Sequence, residues 1–339
     1  MNRFIEKKWF VGVDISKSTL DLSMMGEENY GYFEDLKVEN SFKGFAKIMK
    51  WIAEQGKKPE DCAFCMEHTG TYGLLFFAWL DSNDLLFCVE PGLHLKRSLG
   101  MTRGKNDRVD ARRIADYLYS NRAKLKEFAM PSDTIVKVKQ LLTYREQMVR
   151  IKTSLKNSLK SHQQYENITG LDEISLEIGQ QIEQQEVLIS QIEKKIETTI
   201  GSEAQLGKNF GLARSVKGIG LVTAAFMLVQ TNNFSNFQDG RKYACYAGIA
   251  PFEYSSGTSI RARTKVSHLG NRKIKTLLAN GANSAAIWDP QIKAYYKRKA
   301  EEGKDHKLII NAISCKLVNR VFAVIKRQAP YVTVYEHNF

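Results

Sequence analysis

Apolar and polar positions divide the chain into two styles. The first 130 residues carry short apolar runs broken by turns, and the remainder carries longer stripes at helical spacing. Lys8 to Ile15, KWFVGVDI, reads as a buried strand closing on an acid. Thr19 to Met25, TLDLSMM, alternates and reads as a second strand after a tight turn at Ser16 to Ser18, and Asn29 to Val38 as a third. Ser41 is a fitting N-cap for a helix to Glu54, with Phe42, Phe45, Ile48, Met49 and Ile52 on one side. Asp61 to Glu67 is a fourth strand, again ending in an acid. Thr71 to Leu80 reads as a buried helix and Leu85 to Val89 as a fifth strand. A helical turn, a basic loop from Lys96 to Lys105 and a further helix follow.

After Met130-Pro131, Ile135, Val138, Leu142, Arg145 and Val149 recur at helical spacing, continued by Leu155 and Leu159. Beyond Gly170 a stripe of Leu171, Ile174, Ile178, Ile182, Ile189, Ile192, Ile196 and Ile200 predicts the second arm of an antiparallel hairpin or coiled coil. Such a stripe serves internal packing or an oligomer seam equally well. Ser215 to Ala225 places a G-x-G turn before an apolar helix, a pattern shared by ordinary helix starts and phosphate-facing hairpins. Pro251 to Asn271 reads as a polar Ser/Gly-rich loop. Helices are predicted near Arg272 to Trp288, Pro290 to Glu302 and His306 to Lys326.

Charge then narrows the class. The 339 residues carry 50 Lys and Arg against 37 Asp and Glu, a formal +13, which points to a polyanionic partner. No run of 18 apolar residues and no signal-peptide apolar region occurs, so a cytoplasmic protein with no membrane partner is expected. Cys62 and Cys65 form a lone C-x-x-C with no second pair nearby, which argues against structural zinc. From Ser255 to Lys299 ten Lys or Arg face one acid, Asp289, and Arg261, Arg263, Lys265, Arg272, Lys273 and Lys275 are candidate phosphate contacts.

The candidate chemistry lies in four acids. Asp14 and Glu67 close the first and fourth strands, and Asp107 and Asp110 stand three apart in KNDRVDARRIA, on one face of a helix. Arg103, Lys105, Arg108 and Arg112 surround that pair and are further candidates for nucleic-acid contact. Carboxylates set among bases suit a hard divalent cation meeting phosphate oxygens. Singly, a strand-end Asp is more often a turn residue, and the pair fits a solvated, ion-paired helix equally well.

The element order and acid positions resemble the RNase H-like fold of RuvC-type nucleases. VGVDISKSTLDL, EHTGTYG, KNDRVDARRIA, SVKGIGLVTA, YAGIAP, SSGTS and HLGNRKIK, in that order, resemble the DEDD-type insertion-sequence transposases related to the Piv DNA invertases. The resemblance implies a RuvC-like α/β domain over residues 1–128, a helical coiled-coil hairpin over 129–208 and a mostly α-helical transposase domain over 209–339. It implies Mg²⁺ or Mn²⁺ on Asp14, Glu67, Asp107 and Asp110, and a serine nucleophile at Ser256, with Ser255 its rival. It implies donor and target DNA, a noncoding guide RNA and a homo-oligomer, dimer or tetramer, as partners. Three other readings stay open: a water-using nuclease or junction resolvase, a sugar kinase suggested by VGVDISKST, and a non-catalytic nucleic-acid-binding protein.

Overall fold

The computed structural model describes residues 2–68, 70, 72–98, 106–169, 173–237, 239–256, 260–266 and 270–332. The chain divides into two compact units, residues 1–130 and 131–339.

In the first unit, β1 (Trp9–Ile15), β2 (Thr19–Gly26), β3 (Glu34–Glu39), α1 (Phe42–Glu54), β4 (Cys62–Glu67), α2 (Leu74–Ser82), β5 (Leu86–Glu90), α3 (Gly92–Ser98) and α4 (Asp107–Asn121) follow one another. The strands form one sheet in the order β3-β2-β1-β4-β5. The β1–β2 and β2–β3 pairs are antiparallel, and β1–β4 and β4–β5 are parallel. Side chains alternate across a strand, so each apolar run serves two cores. Val11, Val13, Phe64 and Met66 pack under Phe45 and Ile48 of α1 and Phe76 of α2. Phe10, Ala63, Cys65 and Cys88 pack under Ile114 and Leu118 of α4. Cys62 belongs to the first core and Cys65 to the second, so the two thiols point to opposite sides of the sheet and cannot share an ion. Ser41 caps α1, its Oγ accepting from the Gly44 amide at 3.3 Å.

The third strand begins at Glu34, five residues later than the alternation suggests. Gly31 takes φ +89° and the Tyr32 amide donates to the Asn29 carbonyl at 3.0 Å, so the Asn-Tyr-Gly-Tyr stretch is spent on the turn.

The second unit holds α5 (Asp133–Thr169), α6 (Glu173–Gly201), α7 (Ala204–Arg214), α8 (Leu221–Gln230), α9 (Gly240–Tyr246), β6 (Pro251–Ser256), β7 (Ile260–Val266), α10 (Arg272–Trp288), α11 (Pro290–Glu301) and α12 (His306–Arg327). α5 and α6 run antiparallel, tied by Arg145–Glu193 at 2.6 Å and Lys156–Glu186 at 3.2 Å. Near its base, Ile135, Val138, Leu142, Ile192, Ile196 and Ile200 join one core with Leu278 of α10 and Leu317 of α12. Each such buried Ile or Leu contributes about 1.5–3 kcal/mol, which anchors the base of the hairpin to the helices that follow. Further out, Ile151, Ile174 and Leu176 are exposed. Leu171 lies outside the described residues.

The stretch from Pro251, expected as a polar loop, is instead a two-stranded hairpin, β6 pairing β7 with Ser255 opposite Arg261 and Ser256 opposite Ile260. The I-R-A-R-T-K-V sequence alternates with the strand period, but its polar half is basic and its other half sets Ala and Thr between Ile and Val, so only a short, weak apolar stripe announces it. α12 is long and apolar enough to cross a membrane by length and composition. Its buried Ile309, Ile313, Leu317, Val321 and Val324 face the core of the unit, and Arg320 near its middle pairs with Asp289 at 2.8 Å. It therefore serves as a core helix.

Candidate active site

Strand register gathers the acids. Asp14 on β1 lies opposite Asp21 on β2, and Asp21 lies opposite Lys37 on β3. The parallel register that sets Val13 opposite Met66 sets Glu67 next to Asp14, and Glu67 lies opposite Glu90 of β5. One row of charged residues thus crosses all five strands, on the sheet face that α4 covers. α4 brings Asp107 and Asp110 in its first turn. Asn106 caps it, accepting from the Arg108 amide at 3.1 Å, and first-turn carboxylates suit the positive end of the helix dipole.

Two glycines permit the approach. A Cβ on Gly12 would fall 2.1 Å from the Ala111 carbonyl oxygen and 2.2 Å from the Ala115 nitrogen, so α4 lies directly on the β1 backbone two residues before Asp14. A Cβ on Gly92 would fall 1.9 Å from Glu67 Oε1, so the Glu67 carboxylate lies over a bare α-carbon at the start of α3.

The electrostatics follow from this placement. The Asp14 carboxyl is pushed up to about 6, first by burial and then by the negative charges of Asp107, Asp110, Asp21 and Glu67. Asp110 pairs with Arg113 at 2.8 Å, and Asp21 with Lys37 at 2.9 Å. Glu90 accepts from Tyr117 Oη at 3.3 Å and meets His94 Nδ1 at 3.1 Å. Among the described residues, no three His, Cys, Asp or Glu side chains stand close enough to hold an ion as placed. In kind the donors fit, because every member is a carboxylate oxygen, the ligand hard divalent cations prefer, and the four acids around Asp14 share its field.

The structure therefore brings Asp14, Glu67, Asp107 and Asp110 to one face of the first unit, and adds Asp21, which the sequence reading passed over. The available signal was the tight turn at Ser16 to Ser18, which fixes the register that opposes Asp14 to Asp21. Ser255 and Ser256 are neighbouring backbone positions at the end of β6 in the second unit.

The predicted phosphate contacts divide. Arg103 and Lys105 lie outside the described residues. Arg108 and Arg112 both bind Asp35 of β3, Arg112 Nε at 3.0 Å, and Ser23 Oγ donates to the same carboxylate at 2.6 Å. They hold α4 to β3. Lys273 pairs with Glu146 at 3.1 Å, and Arg272 and Lys275 share the first turn of α10. Arg261, Arg263 and Lys265 take alternate positions of β7. In the G-x-G turn, Gly218 holds φ +95°, and a Cβ there would fall 2.5 Å from the Gly281 carbonyl of α10. Close helix packing accounts for that glycine.

Residues 11–165 match the transposase family DEDD_Tnp_IS110, and residues 211–297 match the transposase family IS116/IS110/IS902. The chain is 27% identical to the pilin gene-inverting protein of Moraxella bovis over 96% of this chain and 98% of that protein. It is 26% identical to the corresponding protein of Moraxella lacunata over the same shares. Over 33% of its length it is 32% identical to an uncharacterized 43.6 kDa protein of insertion element IS110 from Streptomyces coelicolor, covering 27% of that protein.

Proposed function

This chain belongs to the IS110-type DEDD transposases, relatives of the pilin gene inverters, and from that premise we propose that it cuts and rejoins DNA through a serine ester, directed by a noncoding guide RNA. Its enzymatic class, a transposase and DNA recombinase, follows from the family. The observation that carries the mechanism is the carboxylate gathering around Asp14, on one sheet face, in a protein of net charge +13.

The first unit is RuvC-like in this reading, supported by three antiparallel strands followed by two parallel ones in the order β3-β2-β1-β4-β5, with acids closing β1 and β4. Asp14, Glu67, Asp107 and Asp110 would hold Mg²⁺ or Mn²⁺. Bound there, the ion would supply Lewis-acid polarisation of the scissile phosphate and would offset charge developing on its oxygens. The carboxylates orient that centre and exclude other anions from it. The Ser256 hydroxyl attacks phosphorus and gives up its proton. A bond from phosphorus to a sugar oxygen breaks, and that oxygen leaves as a hydroxyl. A sugar hydroxyl attacking the serine ester then reverses these bonds, so rejoining needs no nucleotide cofactor. Base pairing with the guide RNA would select the sequence, while Arg261, Arg263, Lys265, Arg272 and Lys275 would contact backbone phosphates. Exposed Ile151, Ile174 and Leu176 on the outer part of the hairpin support a homo-oligomer, dimer or tetramer. The protein would act in the cytoplasm, where its DNA lies.

The test is recombination in cells supplied with the chain, its flanking noncoding DNA, and donor and target plasmids, read by sequencing junctions. Wild type forms them, while Asp14→Ala and Ser256→Ala do not. Junctions persisting in both Ser256→Ala and Ser255→Ala would refute the serine ester and favour water. Junctions persisting in Asp14→Ala would refute the carboxylate centre.

A further inference from the structure

The charged row has one cation, and neither the acid tetrad nor the serine explains it. Lys37 stands at the β3 end of the row, its side chain 56% exposed, with Nζ 2.9 Å from Asp21 Oδ2. Asp21 itself is 12% exposed and lies directly opposite Asp14. A carboxylate withdrawn to that depth beside a like charge is unfavourable unless a cation answers it. The cation that answers it keeps most of its surface open to solvent. Register sets Lys37 opposite Asp21 and Asp21 opposite Asp14, so the ammonium lies at the margin of the same carboxylates, and the charges of Asp107 and Asp14 add to the bond and charge of Asp21 in holding its proton. Arg108 and Arg112 of α4 are engaged by Asp35 on the adjacent row of the sheet, and Arg113 by Asp110.

We propose that Asp21 positions Lys37 as a phosphate-binding residue of the catalytic centre, the ammonium meeting a non-bridging oxygen of the DNA backbone at or beside the scissile phosphate. An ammonium offers three rotatable donors, and the bond to Asp21 occupies one, so phosphate can be taken without surrendering the anchor. Lys37 supplies the positive charge within the row that carries Asp21, Asp14, Glu67 and Glu90. This inference rests on the carboxylate centre of the preceding section.

The experiment measures binding of a fluorescent duplex of the flanking DNA against salt, with the flank transcript present and Ca²⁺ replacing Mg²⁺ to hold the DNA uncut. Cleavage is followed separately in Mg²⁺. Lys37→Ala should lower the slope of log affinity against log salt by about 1. It should slow cleavage about 10- to 100-fold, the loss of one charge-assisted hydrogen bond. Lys37→Arg should retain the slope. Asp21→Asn should slow cleavage with the slope intact, because the cation remains while its anchor weakens. An unchanged slope in Lys37→Ala overturns the proposal, since a purely structural lysine would move the melting temperature and leave counterion release alone. Wild-type cleavage by Asp21→Asn overturns the positioning role. Cleavage surviving Asp14→Ala would instead refute the carboxylate centre, a failure the salt slope does not register.

Discussion

Replacing Gly12 with Ala tests the site through its scaffold, with every charged group left in place. The added methyl carbon would lie 2.1 Å from the Ala111 carbonyl oxygen and 2.2 Å from the Ala115 nitrogen, both backbone atoms of α4. Ordinary contact near 3.4 Å therefore requires α4 to recede by about 1.3 Å. Rotation of a side chain cannot relieve the overlap. The helix is held at its N-terminal end by Arg108 and Arg112 on Asp35 and further along by Tyr30 Oη on Asp116 at 2.6 Å, so its retreat strains those bonds too. Overpacking of this kind costs about 1–3 kcal/mol. Asp110 immediately precedes Ala111, so the acids move with the helix while Asp14 stays on the sheet. A misplacement of about 1 Å at a reacting centre costs about 100-fold in rate. Gly12→Ala should fold, melt several degrees lower, and cut plasmid bearing the flanking DNA about 100-fold more slowly than wild type. Gly179→Ala is the control, because a Cβ there meets nothing within 4 Å, and its rate should not change. Wild-type cleavage by Gly12→Ala would refute the packing of α4 on β1 as the device that sets the acid geometry.

Two further outcomes follow from the same region. The three atoms that Gly92→Ala meets first all belong to the flexible Glu67 side chain, so it should cost under about 1 kcal/mol in a melt yet slow cleavage about 10- to 100-fold by displacing that carboxylate; equal rates would show that Glu67 is not held over Gly92. Burial alone would raise the Asp35 carboxyl, but hydrogen bonds from Arg112, Ser23 and Arg108 outweigh it and hold the group at about 2, below its ordinary 3.8. Its stabilising contribution, up to about 2 kcal/mol, is therefore complete above pH 3.8 and lost as pH falls toward 2. Urea midpoints of wild type and Asp35→Asn should differ at pH 7 and converge below pH 4; a constant gap would refute the ion pairing.

What the sequence disclosed depended on whether a feature announces itself by apolar period. The order of elements in the first unit is legible because each buried run is short and ends at a turn, and the first and fourth close on an acid. The hairpin arms are legible from an Ile stripe at steps of three and four. The β6–β7 pair is not, because β7 sets basic residues against a short, weak stripe of Ile, Ala, Thr and Val. Nor does charge counting reveal where an arginine goes. Arg108 and Arg112 stand in a basic stretch that reads as phosphate-binding, yet each finds its partner in Asp35, 73 and 77 residues away. The third strand is overextended in a reading by residue type, since Tyr and Phe favour strands until a left-handed glycine turns the chain. Asp14, Glu67, Asp107 and Asp110 are recognisable through family motifs, whereas Asp21 and Lys37 become visible only when register sets Asp21 across from Asp14 and Lys37 across from Asp21.

Register also explains why these acids can sit on a folded sheet at all. On the face beneath α4, one row of cross-strand partners is Met25, Phe10, Ala63 and Leu86, all apolar. Two residues along, the row is Asp35, Ser23, Gly12, Cys65 and Cys88, polar at the β3 edge and small or sulfur-bearing elsewhere. The next is the charged row of Lys37, Asp21, Asp14, Glu67 and Glu90. The helix above is graded in the same sense, with Asp107 and Asp110 in its first turn, Ala111 and Ala115 over Gly12, and Ile114 and Leu118 within the apolar core. Sliding α4 by one turn, about 5.4 Å, would set Tyr119 against the bare Gly12 backbone in one direction and draw the acids toward sulfur and carbon in the other. Both mismatches are costly, one by overlap and the other by burying charge without a partner. The two gradients therefore lock the helix to the sheet in one register, and that register brings the helix acids to the strand acids. The stability of the first unit and the assembly of its candidate site are consequences of the same packing.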